Sequence, residues 1–152
     1  MKKNLIYTAL SILFVLSGIA LSAQTEKKPE LLTKETFKEK VWDYTKDTVE
    51  FVYLGDKPCM IDFYADWCGW CKKIAPFMEE FAQTRDDMYV YKIDTNQEKE
   101  LAALFQVRSL PTMFFVPMKG QPTMLKGARS KEEYGKLIDQ HLFNKTTPAT
   151  AE

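Results

Sequence analysis

An α/β fold, with a central mixed sheet flanked by helices, is what this sequence predicts, and three observations predict it. The 152 residues carry 45% hydrophobic side chains and balance 21 basic against 21 acidic ones, as one ordinary globular domain does. Apolar runs of strand length alternate with segments of helical spacing in the order β-α-β-α, which favours parallel pairing through crossovers. The alternation then gives way to two short strands joined by a turn-rich linker and a last helix, which adds a hairpin to the sheet.

The first element lies ahead of that domain. Met1-Lys2-Lys3, the apolar stretch Leu5 to Leu21 and then Ser22-Ala23-Gln24 have the regions of a secretory signal, residues 1–23, cleaved after Ala23. An uncleaved anchor is the lesser reading, because the stretch is shorter than the ~20 residues a span needs and carries Thr8, Ser11 and Ser17. The mature chain is therefore expected outside the cytosol. Residues 24–32 are polar and read as a flexible lead, 33–143 as the domain, and 144–152, rich in Thr, Pro and Ala, as a disordered tail.

Within the domain, Thr33 can cap a helix in which Phe37, Val41, Trp42 and Thr45 recur at helical spacing to about residue 46. Cys59 to Ala65 has the length of a fully buried strand, interrupted by one acid, Asp62. From Cys68 a helical pattern runs through Ile74, Phe77, Met78 and Phe81 to about Arg85, with Pro76 inside it. Met88 to Ile93 reads as a strand and Gln97 to Phe105 as a short helix. Thr112 to Val116 and Thr123 to Lys126 are the hairpin strands, and Ser130-Lys131-Glu132-Glu133 has capping-box spacing for a final helix through Tyr134, Leu137, Ile138 and Leu142. No internal repeat is present.

The chemistry-bearing motif is Cys68-Gly69-Trp70-Cys71, set where an apolar strand gives way to a helix. Only a thiolate attacks a disulfide, and a cysteine on a helix's first turn gains thiolate character from unpaired N–H groups and the positive end of the macrodipole. Cys68 holds that position and reads as the nucleophile. Cys71, one turn further in, reads as the shielded resolving thiol. The pair predicts reversible disulfide chemistry.

Other classes find little support. A neutral total and no basic cluster in sequence give no hint of a nucleic-acid partner. Three cysteines do not make a disulfide framework, and Cys59 reads as a buried small hydrophobe, with a regulatory or resolving role as the minority alternative. Metal binding by Cys59, Cys68, Cys71 and His141 lacks the second close pair that structural zinc takes, so no metal is expected. The glycines at 55, 69, 120, 127 and 135 match neither a dinucleotide fingerprint nor a P-loop, so no cofactor is expected either.

Several separated motifs resemble the thioredoxin family from about Thr33 to Phe143. Its Trp-Cys-Gly-x-Cys-Lys motif is matched by Trp67, Cys68, Gly69, Cys71 and Lys72, with Trp70 where the family has proline. Ile74-Ala75-Pro76 matches its Ile-Ala-Pro element, Val107 to Thr112 its cis-proline loop, and Gly127-Ala128 its later Gly-Ala. The resemblance implies a thioredoxin fold and a periplasmic thiol:disulfide oxidoreductase that reduces or exchanges protein disulfides. It makes Pro111 the cis-proline candidate, where residues alone would favour a trans strand-opening proline. Leu110 would then lie beside Cys68 and pair with an extended substrate strand.

The resemblance also makes Asp62 the proton acceptor and donor for the resolving thiol, with Lys92 as its supporting neighbour. A strand-end acid in solvent is the alternative. Trp67, Gly69, Trp70, Leu110, Pro111 and Gly127 are the implied substrate-binding face. Trp67 either covers the active-site face or is a core aromatic, and Trp70 is expected exposed, as a substrate contact or a device that tunes the pair. Lys72 and Lys73 read first as a solvated face. The implied partners are disulfide-containing protein substrates and a membrane thiol electron donor, with a monomeric chain. The competing functions are a disulfide oxidase or isomerase, and a binding or chaperone module of the same fold without turnover.

Overall fold

Alternation along Cys59–Tyr64 decides how the sheet is covered. In the computed structural model, which describes residues 27–46 and 50–145, this segment forms strand β2, buried at every residue except Tyr64. Cys59, Ile61 and Phe63 pack into one core cluster with Phe37, Leu101 and Phe114. Met60 points the other way, into a second cluster with Ile74, Met113, Phe115 and Ile138. Because side chains on a strand alternate with period two, Asp62 shares the face of Met60.

The other strands complete the sheet. They are β1 (Glu30–Leu31), β3 (Tyr89–Asp94), β4 (Thr112–Val116) and β5 (Thr123–Lys126), in the order β1-β3-β2-β4-β5. β1 and β2 each pair parallel with β3, while β4 runs antiparallel to both β2 and β5. The sheet is mixed, as the sequence predicted. Helices α1 (Lys34–Lys40), α2 (Gly69–Thr84), α3 (Lys99–Leu104) and α4 (Lys131–Phe143) complete the element list.

Two segments depart from expectation. The lead anticipated over 24–32 is not flexible throughout: Glu30–Leu31 is an edge strand on β3, and Leu32, fully buried, donates its N–H to the Lys92 carbonyl at 2.9 Å. A two-residue strand with both side chains exposed leaves no periodic signal in sequence. The first helix stops at Lys40 rather than near 46, because Asp43 captures the Thr45 N–H at 3.2 Å and the Thr45 hydroxyl at 2.6 Å, closing a turn instead. Its start is as expected, with a capping box in which Thr36 takes the usual glutamate's place opposite Thr33. The signal segment expected over 1–23 lies outside the described residues, as does the tail expected over 144–152 except for Asn144 and Lys145, whose N–H groups both donate to the Asp139 carbonyl at the end of α4. Among those residues no helix is long and apolar enough to cross a membrane.

Helix α3 ends in a Schellman motif: Val107 N–H bonds the Ala102 carbonyl at 2.8 Å and Gln106 N–H bonds that of Ala103 at 3.0 Å. Gln106 therefore sits at φ +50°, a left-handed position that glycine usually takes.

Candidate functional site

The switch from β2 to α2 brings the two cysteines together. Cys68 is the N-cap of α2, with extended backbone, and its sulfur accepts the Cys71 N–H at 3.1 Å. The pair is joined as a disulfide, with Cα atoms 5.3 Å apart. Both cysteines are nearly covered, at 5% and 4% exposure, so the expected difference between them does not lie in accessible area. It lies in their surroundings. Ala65 and both cysteines form a small cluster against which Tyr64 and Leu110 pack, whereas Cys71 alone of the pair lines a cavity of about 300 Å³.

Asp62 lines the same cavity, together with Lys92, Lys28 and Pro29. It is 6% exposed, and its Oδ1 has no protein hydrogen-bond partner. Burial pushes its pKa up to about 7, and the nearby Lys92 cation opposes that rise. A carboxyl half protonated at neutral pH can both take and give a proton. Lys92 lies opposite Asp62 in the parallel ladder, with its ammonium 5.3 Å from the centre of the Tyr64 ring. Asp62 is thus a buried group and not a solvated strand-end acid.

On the facing loop, the Leu110-Pro111 bond is cis. The Pro111 carbonyl accepts the Gly127 N–H at 2.8 Å, and Gly127 has φ +86°, so its backbone suits glycine. The structure therefore places Leu110, Pro111 and Gly127 next to one another, with Leu110 packed against the cysteines. Trp67 and Trp70 are 71% and 60% exposed, which rules out a core position for Trp67, and Gly69 between them is exposed too. Lys73 lies with its ammonium 4.2 Å from the Trp70 ring centre, a cation–π contact on the outer face of the motif. Cys59 is fully buried and unpaired, and burial pushes its thiol up to about 12.

Three residues near the site were not singled out from the sequence. Trp67 Nε1–H donates to Asn96 Oδ1 at 3.2 Å, fixing one edge of an otherwise exposed indole. Asp94, 3% exposed, accepts the Asn96 N–H at 2.9 Å and the Gln97 side-chain amide at 3.0 Å, which shapes the turn that presents Asn96. An acid followed two residues on by Asn at a strand's end is an Asx-turn signal, but nothing in sequence links it to Trp67. Lys28 at the cavity wall is the third.

The thioredoxin family model matches residues 28–140. The chain is 38% identical over 108 residues to the thioredoxin of Borreliella burgdorferi, covering 70% of this chain and 92% of that one. It is 34% identical over 105 residues to a protein disulfide-isomerase of Hordeum vulgare, covering 67% of this chain but 20% of that longer protein. Among solved structures, a mutant thioredoxin of Halobacterium salinarum superposes with TM-score 0.60 at 27% identity, covering 81% of this chain and 96% of that one. A Malassezia sympodialis thioredoxin superposes equally well, with TM-score 0.60 at 28% identity over 76% and 91% of the two chains.

Proposed function

Since this chain belongs to the thioredoxin family and is a thiol-disulfide oxidoreductase with a redox-active Cys68-Cys71 pair, we propose that it works as an exported, periplasmic protein-disulfide reductase. The observation that carries the assignment of roles is that Cys71 and Asp62 share a cavity wall while Cys68 caps the helix.

In the reduced protein the Cys68 thiolate, held by the Cys71 N–H and the helix terminus, attacks one sulfur of a substrate disulfide. An S–S bond forms between Cys68 and that sulfur, the substrate's own S–S bond breaks, and the departing thiolate takes up a proton. Asp62 then accepts the Cys71 proton, and the Cys71 thiolate attacks the Cys68 sulfur. The intramolecular disulfide forms, and the second substrate thiolate leaves and is protonated. Two electrons have passed from the pair to the substrate. A thiol donor must return them, and for an exported chain we assign this to a membrane thiol protein. Leu110, Pro111, Gly127, Trp67, Gly69 and Trp70 frame the substrate strand in a monomeric protein. Residues 1–23 support export, by their charged, apolar and small-residue regions.

The test joins the reduction potential of the pair to trapping of mixed disulfides in Cys71→Ser. A potential below about −200 mV, with insulin reduction lost in Cys68→Ser, is the expected result. A potential well above that value makes the protein an oxidase or isomerase; Trp70 in place of the family proline moves the expected potential only slightly upward and, bringing no charge, does not point to a strong oxidant. A Cys68→Ser protein with full biological effect makes it a binding module.

A further inference from the structure

The surface beside the cis-proline loop carries a charge asymmetry that disulfide exchange does not require. Two shallow grooves meet there, of about 410 and about 370 Å³. The first passes over Leu104 and Met124 between Arg108 and Lys126, and the second follows α3 between Lys99 and Arg108. Gln106 and Arg108 line both, so the grooves form one continuous surface. Its charged residues are three cations and no carboxylate, in a chain whose acidic and basic residues are equal in number. The cavity at Cys71 is balanced by contrast, with Lys28, Lys72 and Lys92 against Asp62, Asp66 and Glu79. Among the described residues, neither Lys99, Arg108 nor Lys126 has an ion-pair partner.

This surface abuts the reacting centre. Arg108 is two residues before Leu110, which packs on the cysteine cluster. Lys126 is the ladder partner of Thr112, the residue after the cis-proline. Thr95, at the far end of the second groove, adjoins Asn96, which holds Trp67. Gln106, where the grooves join, keeps a left-handed backbone at φ +50° that is strained for a non-glycine residue. Leu104, 39% exposed, offers an apolar contact between the charges.

We propose that this surface docks an acidic segment of the protein whose disulfide is exchanged, carboxylates meeting Lys99, Arg108 and Lys126 around an apolar residue on Leu104 and Met124. The inference rests on the exchange function proposed above. Complementary charge mainly raises the rate of productive encounter and lowers that of wrong partners, so it acts on kcat/KM.

The test compares three peptides with the same intramolecular disulfide and acidic, neutral or basic flanks, reduced by the protein at low ionic strength and at about 1 M salt, where the Debye length is ~3 Å. The acidic peptide is expected to exceed the basic one ~10-fold in kcat/KM at low salt, and the difference to vanish at high salt. Arg108→Glu combined with Lys126→Glu should reverse the order while the neutral peptide keeps its rate, which also shows that the variant is folded. Milder changes, Lys99→Gln and Arg108→Gln, should shrink the preference stepwise. Equal rates for acidic and basic peptides, or a preference unchanged in the double variant, overturn the inference while the exchange function stands. Failure to reduce even the neutral peptide overturns the exchange function, and the docking inference with it.

Discussion

Asp62 on β2 and Lys92 on β3 stand directly opposite each other in a parallel ladder, and both reach the cavity that Cys71 lines. The cation moderates the carboxyl's pKa without cancelling the effect of burial, so the acid titrates near neutrality. This has a measurable consequence for stability. The folded carboxyl keeps its proton up to about pH 7, whereas an unfolded one releases it near pH 4. Between those values the folded state binds more protons, so stability falls as pH rises, by a few kcal/mol in all. Asp62→Asn should therefore stabilise the oxidised protein relative to the parent at pH 8 and not at pH 3. Denaturant melts at the two pH values check this, and an equal effect at both would refute it. In the same variant, resolution of the Cys68 mixed disulfide should slow ~10²-fold at neutral pH.

Asn96 holds Trp67 through one exposed hydrogen bond, and Asp94 holds Asn96 from a buried position. Asn96→Ala should cost less than about 1 kcal/mol of stability, since water can replace the lost partner. Asp94→Ala leaves the turn without its acceptor and should cost about 1–3 kcal/mol. Both should alter Trp67 fluorescence anisotropy; an unchanged signal in Asn96→Ala would mean that the contact does not hold the ring in solution.

Gln106 takes a left-handed backbone where glycine would be unstrained. Gln106→Gly should raise stability by about 0.5–1 kcal/mol, or a few degrees in Tm, in thermal melts. A loss of stability would mean that the glutamine side chain contributes more than its backbone costs.

The segment before α1 is part of the fold, because Leu32 is fully buried and bonded to β3. Leu32→Ala should cost about 2–5 kcal/mol in chemical denaturation, the range for a buried leucine. A cost below 1 kcal/mol would mark the lead as dispensable.

Much of this architecture was legible because it is written in contiguous residues. The apolar run of β2, the helical spacing of α2 and the capping box before α4 each act over a few neighbouring positions, and the Cys68-Cys71 pair sits where two such signals meet. What escaped is held by distant partners. β1 exists through its ladder with β3, some 60 residues on, and Asn96 matters through Trp67, 29 residues away. The early end of α1 depends on Asp43 competing for the backbone, which spacing alone does not reveal. Lys99, Arg108 and Lys126 are scattered in sequence, and only the packing of α3 beside β5 gathers them.

Cys59, finally, makes the chain's odd thiol a reporter of its own integrity. Fully enclosed and held protonated, it is silent toward alkylating reagents and toward disulfides while the fold lasts. Any adduct or crosslink at Cys59 therefore dates from a moment when β2 was open. An alkyl adduct at Cys59, which thiol exchange does not remove, then becomes a record of that opening, readable by mass mapping.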